Sequence, residues 1–372
     1  MILDNNQGAF FELLRAGLWE KDARLSPYNE IDYSAIMRLA EEQSVVGVVA
    51  AGLEHVIDVK VPQVFALQFA GQTIQLEQRN TAMNHFIAGL IEQLRKVDVY
   101  TLLLKGQGIA QCYERPLWRA CGDIDLFLDN NDYERAKNYL MPLAQYVEIE
   151  YQKKKHLAFT ISTWEVELHG TLRCLFWKRW DRVIDDIQRD TFVKRNVRVW
   201  VNNNTDIYLP YANNDVFFVF THILQHFYKG GIGLRQICDW CRLLRTYKET
   251  LNHNLLESRI KSAGLMSEWK AFGALAVEYL GMPIESMPFY SNKNKWHQKA
   301  RKIIAIVMET GNFGHNRERA YRGNKSFIVK KLVSFYMHTY DNLRHVSIFP
   351  IDSVKVWYGV IKNGLSVAIR GN

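Results

Sequence analysis

The sequence predicts an α+β fold, in which a small core that contains the sheet lies between an N-terminal and a C-terminal helical domain. Apolar residues follow helical spacing through the first part of the chain. Short apolar runs of strand length alternate with helical segments between about 97 and 210, and helical spacing returns after Pro210. A chain of 372 residues is long enough for two or three domains, and we place their boundaries at 1–97, 98–210 and 211–372.

Two helices are predicted in the N-terminal domain. Ser34 is a typical N-cap, and it precedes Ile36 and Leu39 at helical spacing. Pro62 then opens an apolar pattern that continues without another proline to Lys96. We therefore expect a short helix from Ser34 and a long one from Pro62.

The core begins with VYTLLL (99–104), an apolar run of strand length that ends at Lys105-Gly106. A second strand, DIDLFL (123–128), follows Gly122. The other elements predicted up to residue 210 are a short helix at 107–113, a helix capped by Asn131 or Asp132, strands in HLAFTIS (156–162) and WEVELH (164–169), and strands at 197–201 and 206–209. Strands with interposed helices indicate a compact α/β or α+β core.

Helices are predicted for most of the chain after Pro210. Joints rich in glycine or containing proline, at 230–233 and 281–283, separate some of them. The predicted helices are 214–228, 234–247, 255–263, 267–280, 295–310, 325–343 and 354–363.

The composition excludes several classes of protein. Charged residues make up 23% and hydrophobic residues 48% of the chain, which excludes wholesale disorder. The longest apolar run, 45–53, is about half of what a membrane span needs, and no secretory signal is visible. Among the five cysteines, the CxxC of Cys238 and Cys241 has no second pair, so we expect buried thiols in a cytoplasmic protein.

The net charge of +8 belongs to the C-terminal end. Residues 301–372 contain twelve Lys or Arg against four Asp or Glu, so the first 300 residues are neutral overall. Such a segment favours a polyanionic partner, and it is also typical of a basic tail that only aids solubility.

The strand that contains Asp123 and Asp125 is the first candidate for a metal-binding site. Residues two apart in a strand face the same way, so both carboxylates project from one side while Ile124 and Leu126 face the core. Adjacent carboxylates repel each other unless a cation lies between them, and oxygen ligands suit Mg²⁺ or Mn²⁺. The alternative is an edge strand with two solvated acids.

Neighbouring residues favour the metal interpretation. Lys105 and Gly106 end a strand and open a helix, where backbone N–H groups can receive phosphate. Glu167 is a third carboxylate in a later apolar strand, and Arg119 precedes Asp123 by four residues, where it can contact phosphate or orient an aspartate.

The order of these motifs resembles the nucleotidyltransferase fold of the DNA polymerase beta superfamily. More narrowly, LLLKG, RACGDIDLFL, HLAFTISTWEVELHG and GLRQICDW together resemble a family of uncharacterised bacterial nucleotidyltransferases. The resemblance covers about 99–170 well and the helical flanks more weakly. It implies a small mixed-sheet core, a nucleoside triphosphate such as ATP as substrate, and Mg²⁺ or Mn²⁺ as cofactor.

The resemblance also implies roles for residues of this chain. Asp123, Asp125 and Glu167 match the catalytic metal-binding carboxylates, and Glu167 is either a general base or only a ligand. Two metal ions would then support in-line displacement at the α-phosphate, with pyrophosphate leaving. The predicted nucleotide- and phosphate-binding residues are Lys105, Gly106, Gln107, Arg119 and Gly122. The residue after the glycine is Gln107, where the superfamily has serine.

Four further residues are candidates for substrate binding beside Glu167 or on the helices that follow the core. His169 faces the side of Glu167, with a structural hydrogen bond as the alternative to substrate binding, and His156 falls at the family's histidine position. Arg235 and Asp239 can pair across one helical turn, after a glycine-rich loop that would bring their helix to the site.

Two histidines on one predicted helix complete the candidates. His222 and His226 are four residues apart, but HILQH lacks the glutamate of a zincin motif. We expect one of them to line the cleft, as a possible substrate-binding residue, and the other to pack.

The function predicted from these residues is transfer of a nucleoside monophosphate to a hydroxyl or phosphate of a small molecule, a sugar, a protein or RNA. The alternative is a non-catalytic nucleotide- or nucleic-acid-binding protein on the same fold. An intact set of three carboxylates favours the enzyme. No membrane partner is expected.

Overall fold

The computed structural model of the protein describes residues 4–175, 177–312 and 339–359. It confirms the α+β class, because helices flank a five-stranded mixed sheet and a separate two-stranded sheet. In the described part of the chain, none of the helices is both long enough and apolar enough to cross a membrane. All five cysteines are buried, as expected.

The N-terminal region is helical. Its helices are α1 (Asn5–Trp19), α2 (Tyr33–Glu42), α3 (Val46–Glu54) and α4 (Gln63–Lys96). The predicted start of α4 after Pro62 is confirmed. The prediction that Ser34 caps α2 is wrong: the Asp32 carboxylate is the cap, and it accepts the backbone N–H groups of Ser34 and Ala35.

The core is built on five strands in the order β1-β2-β5-β4-β3. Strands β2 and β5 are parallel, and every other neighbouring pair in this sheet is antiparallel. The elements are β1 (Leu102–Leu104), α5 (Gly106–Ala110), β2 (Asp123–Phe127), α6 (Asn130–Leu140), β3 (Tyr146–Val147), β4 (His156–Ile161) and β5 (Trp164–His169). Asp129, rather than Asn131 or Asp132, caps α6.

A helix and a hairpin follow the sheet. The predicted strands near 197 and 206 are confirmed as β6 (Val197–Asn202) and β7 (Thr205–Pro210). Helix α7 (Lys178–Phe192) was not predicted, although Trp180, Val183, Ile184 and Ile187 stand at helical spacing and are buried.

Helices α8 to α12 follow residue 210, and each of them begins and ends within three residues of its predicted bounds. They are α8 (Ala212–Lys229), α9 (Leu234–Thr246), α10 (His253–Ser262), α11 (Met266–Leu280) and α12 (Asn294–Thr310). Residues 339–346 and 350–359 are also helical. The predicted helix at 325–343 lies mostly outside the described residues, and so does the end of the one at 354–363.

The sheet separates two buried clusters of apolar side chains. One face of β2, with Ile124 and Leu126, packs against the second half of α4. The other cluster joins residues from Ala9 to Val356. The division of the chain into three domains stays a prediction.

Candidate active site

The three predicted carboxylates meet on one face of the sheet. Asp125 stands beside Glu167 in the register of the parallel pair β2–β5, and strand alternation puts Asp123 on the same face as Asp125. Carboxylate oxygens of Asp123, Asp125 and Glu167 lie within 4.8 Å of one another. The structure thus brings together residues that are more than forty positions apart in sequence.

The Asp125 carboxylate is divided between two environments. Its Oδ1 receives Lys105 Nζ at 2.9 Å and His169 Nε2 at 2.7 Å. Its Oδ2 is buried and has no hydrogen-bond partner within the described residues. The negative charge of Asp125, followed by burial, raises the pKa of the neighbouring Asp123. An orphaned oxygen beside a repelled carboxyl fits a divalent cation held by Asp123, Asp125 and Glu167.

Lys105 supplies positive charge inside this carboxylate group. It is the N-cap of α5 with φ +46° and ψ −138°, a conformation that L side chains rarely adopt, and Gly106 continues the turn at φ +40°. Burial favours the neutral amine, but Asp125, Asp123 and Glu167 outweigh it and raise the pKa of Lys105. The tight turn therefore presents a charged ammonium group to the carboxylates.

Two histidines form a second possible ligand set with Glu167. His156 and His169 are paired across β4 and β5, and their Nε2 atoms lie 2.9 Å and 3.3 Å from Glu167 Oε2. Burial alone would raise the pKa of Glu167, but the hydrogen bonds from His156 and His169 hold it well below its usual range. Glu167 is consequently shared between an all-oxygen set and a mixed nitrogen–oxygen set.

A cavity of about 500 Å³ opens over this face of the sheet. Asp123, Glu167 and both histidines line one part of it, and the cationic side chains of Lys154, Arg173 and Lys229 line another. Sequence reasoning missed these three cations. For Lys154 the run of three lysines at 153–155 was the available signal in the sequence.

Helix α8 forms another part of the cavity wall. His222 and His226 both line it, with their Nε2 atoms 3.2 Å apart, so the expectation that one of them only packs is wrong. Burial first, and then the positive charge of Lys105, depresses the pKa of both rings, that of His226 to about 4. Both imidazoles are therefore neutral at pH 7.

Arg119 has a different role from the phosphate contact that was expected. Its guanidinium is buried and forms two hydrogen bonds with Asp239, Nε–Oδ1 at 3.0 Å and Nη2–Oδ2 at 2.6 Å. Tyr113 donates to the same carboxylate at 2.8 Å. The guanidinium of Arg119 thus binds both carboxylate oxygens of Asp239 and fixes α9 to the loop before β2. The predicted phosphate contact of Arg119 is corrected for this reason.

Arg235 does not pair with Asp239, which corrects the expected pair across one turn of α9. Its Nη1 donates to the Ala120 carbonyl at 2.8 Å, and its buried Nε has no hydrogen-bond partner within the described residues. Arg235 and Asp239 do line a small cavity together with Lys105 and Asp123, so α9 reaches the site as expected.

Gln107 is turned away from the carboxylates. Its side chain is buried and donates to Asn80 Oδ1 on α4 at 2.8 Å, which corrects a phosphate-binding role for its amide group. Gly122 is exposed, and a Cβ built on it would meet nothing within 4 Å, so packing does not require glycine there. Phosphate binding by Gly106 and Gly122 stays a prediction.

Adjacent parallel strands that carry two aspartates and a glutamate, beside a turn that opens a helix, make up the arrangement implied for a nucleotidyltransferase. Residues 29–281 match the model of a family described as uncharacterised nucleotidyltransferase, which is more than half of the chain. The chain belongs to this family. No curated protein and no solved structure matches it.

Proposed function

We propose that the protein is a divalent-cation-dependent nucleotidyltransferase that transfers a nucleoside monophosphate from a triphosphate to a hydroxyl or phosphate acceptor. The observation that carries this proposal is the convergence of Asp123, Asp125 and Glu167, with Asp125 Oδ2 unpartnered within the described residues, beside a cavity that also presents cations. Membership of the nucleotidyltransferase family supports it.

The cavity has the charges that a metal-bound nucleotide needs. Asp123, Asp125 and Glu167 would hold Mg²⁺ or Mn²⁺, which when bound neutralises phosphate charge and polarises the α-phosphate. Lys154 and Lys229 line the same cavity and can receive the outer phosphates. Lys105 neutralises part of the negative charge of the three carboxylates before the nucleotide binds.

The transfer is a single displacement. An acceptor oxygen bonds to the α-phosphorus, the bond from that phosphorus to the bridging oxygen of the β-phosphate breaks, and pyrophosphate leaves with the electron pair. A hydroxyl acceptor releases its proton to water in the cavity. The low pKa of Glu167 makes it a weak proton acceptor, which favours the ligand role over the general-base role.

The test combines binding and turnover. Thermal shifts with each of the four nucleoside triphosphates and Mn²⁺ would identify the nucleotide, and pyrophosphate release in the presence of RNA, sugar and protein fractions would identify the acceptor. Asp123→Asn and Glu167→Gln should abolish the metal-dependent stabilisation. Asp186→Asn, an exposed residue on α7, is the control. Unchanged stabilisation in both site variants would contradict the proposal.

The same measurements separate catalysis from binding. If the wild-type protein is stabilised by a metal–nucleotide complex and pyrophosphate never appears with any acceptor fraction, the chain is the non-catalytic nucleotide-binding protein instead.

A further inference from the structure

A second cavity, of about 780 Å³, adjoins the one above the carboxylates. Tyr151, Lys154 and Lys229 line both cavities, so the two share a wall and form one continuous cleft. Lys153, Lys355 and Tyr358 line only the second cavity. We call this second cavity the lysine chamber. Its far wall is the helix at 350–359, which lies outside every sequence motif.

The charge of the lysine chamber is one-sided. No aspartate or glutamate is among the described residues of its wall. The lysines that line it are Lys153, Lys154, Lys229 and Lys355. Burial, and then the positive charge of Lys154, lowers the pKa of Lys229 to about 8. Lysine side chains clustered on one cavity wall favour binding of a polyanion, which would relieve their mutual repulsion.

Aromatic rings accompany the lysines. Tyr151 and Tyr358 line the chamber and are 51% and 67% exposed, so their rings are accessible. Cationic side chains together with exposed aromatic rings are a combination that holds single-stranded nucleic acid, because lysines track the phosphates and every base can stack on a ring. A small phosphorylated molecule would need the lysines but not two exposed rings.

We propose that the lysine chamber is the acceptor site and that the acceptor is a single-stranded nucleic acid. This inference rests on the proposed function. The strand lies in the chamber, and its terminal nucleotide passes Lys154 and Lys229 into the cavity of the carboxylates. A terminal ribose hydroxyl oxygen then bonds to the α-phosphorus of the bound triphosphate, pyrophosphate leaves, and the hydroxyl proton goes to water. The strand becomes one nucleotide longer.

The experiment changes residues that line the lysine chamber and not the cavity of the carboxylates. Binding of a fluorescein-labelled 12-nucleotide single-stranded RNA is measured by anisotropy over a range of salt concentrations, for the wild type and for Lys153→Ala/Lys355→Ala. The double variant should bind at least several-fold more weakly. The magnitude of its slope of log affinity against log salt should fall by about 1.4, or 0.7 for each lost phosphate contact. Lys60→Ala/Lys96→Ala removes two exposed lysines elsewhere and should leave both quantities unchanged.

Two further measurements decide the outcome. The Lys153→Ala/Lys355→Ala variant should keep its stabilisation by nucleoside triphosphate and Mn²⁺. If the proposed function itself is wrong, the wild-type protein will show no such stabilisation, whatever its affinity for RNA. Equal RNA affinity and equal salt slope in the wild type and the chamber variant would overturn the inference. Displacement of the RNA by 1 mM inorganic phosphate would overturn it in favour of a small phosphorylated acceptor.

Discussion

Lys105 Nζ lies 2.9 Å from Asp125 Oδ1, so a lysine at the start of a helix neutralises an aspartate in the centre of the sheet. The opposite oxygen of the same carboxylate is buried without a hydrogen-bond partner in the described part of the chain. The pair therefore stabilises the carboxylate group while it leaves one oxygen available as a ligand.

Replacement of Lys105 should separate cation binding from turnover. Lys105→Met removes the positive charge nearest to three carboxylates, so the affinity for Mn²⁺ should rise several-fold, because less positive charge repels the ion. Nucleotide turnover should fall by at least about tenfold, because positive charge that stabilises the transferring phosphate is lost. Calorimetric Mn²⁺ titration and pyrophosphate release would measure the two effects. Lys60→Met is the control, and weaker Mn²⁺ binding in Lys105→Met would contradict the assignment.

The two histidines beside Glu167 should set the metal preference. Imidazole nitrogen binds Mn²⁺ and Zn²⁺ more readily than Mg²⁺, which prefers oxygen ligands. His156→Ala/His169→Ala should therefore weaken Zn²⁺ and Mn²⁺ binding by about tenfold or more, and Mg²⁺ binding by much less, as measured by titration calorimetry with each metal ion. His85→Ala, on the exposed side of α4, should change none of these affinities. An equal loss for all three ions would mean that the histidines only support the carboxylates.

The buried Arg119–Asp239 pair should dominate local stability. Asp239→Ala leaves the Arg119 guanidinium buried and unpaired, and we expect a loss of about 3–5 kcal/mol in the free energy of unfolding. Asp186→Ala breaks a pair of similar length between side chains that are 64% and 65% exposed, and it should cost less than about 1 kcal/mol. Urea denaturation would compare the two. Similar losses would show that burial does not decide the strength of the Arg119 pair.

His226 should contribute to acid sensitivity. Its pKa in the folded protein, about 4, lies below the value of 6.5 expected when the chain is unfolded. Between these pH values the unfolded chain binds a proton that the folded protein does not, so stability falls as pH decreases through this window. Between pH 6.5 and pH 4, the free energy of unfolding of His226→Gln should therefore fall by about 1–3 kcal/mol less than that of the wild type, as measured by urea denaturation. His85→Gln is the control, and parallel pH profiles for the wild type and His226→Gln would refute the shift.

Local patterns were sufficient to predict much of the fold. The long uninterrupted pattern after Pro62 predicted α4, and the period of two in DIDLFL predicted that Asp123 and Asp125 share a face. Both features depend on residues close together in sequence, where spacing decides which side chains lie together.

The errors at the site concern mainly contacts between distant parts of the chain. Arg119 and Asp239 are 120 positions apart, and nothing in the spacing of either residue indicates that it pairs with the other. The amide of Gln107 turns to Asn80, 27 positions earlier, because a buried amide needs a polar partner and α4 provides one. Helix α7 is a different case, because the apolar spacing that indicates a helix is present in the sequence at 180–187.

Asn80 has a consequence for how the chain can be divided. Its Nδ2 donates to the carbonyls of Leu117 and Arg119, and its Oδ1 accepts from Gln107, so one side chain of α4 ties together the helix after β1 and the loop before β2. A fragment cut at residue 97 would contain every carboxylate of the site and lose the support that holds both segments in place. A minimal active fragment should therefore begin before α4, and Pro62 marks a better junction for fusion or truncation than the end of that helix.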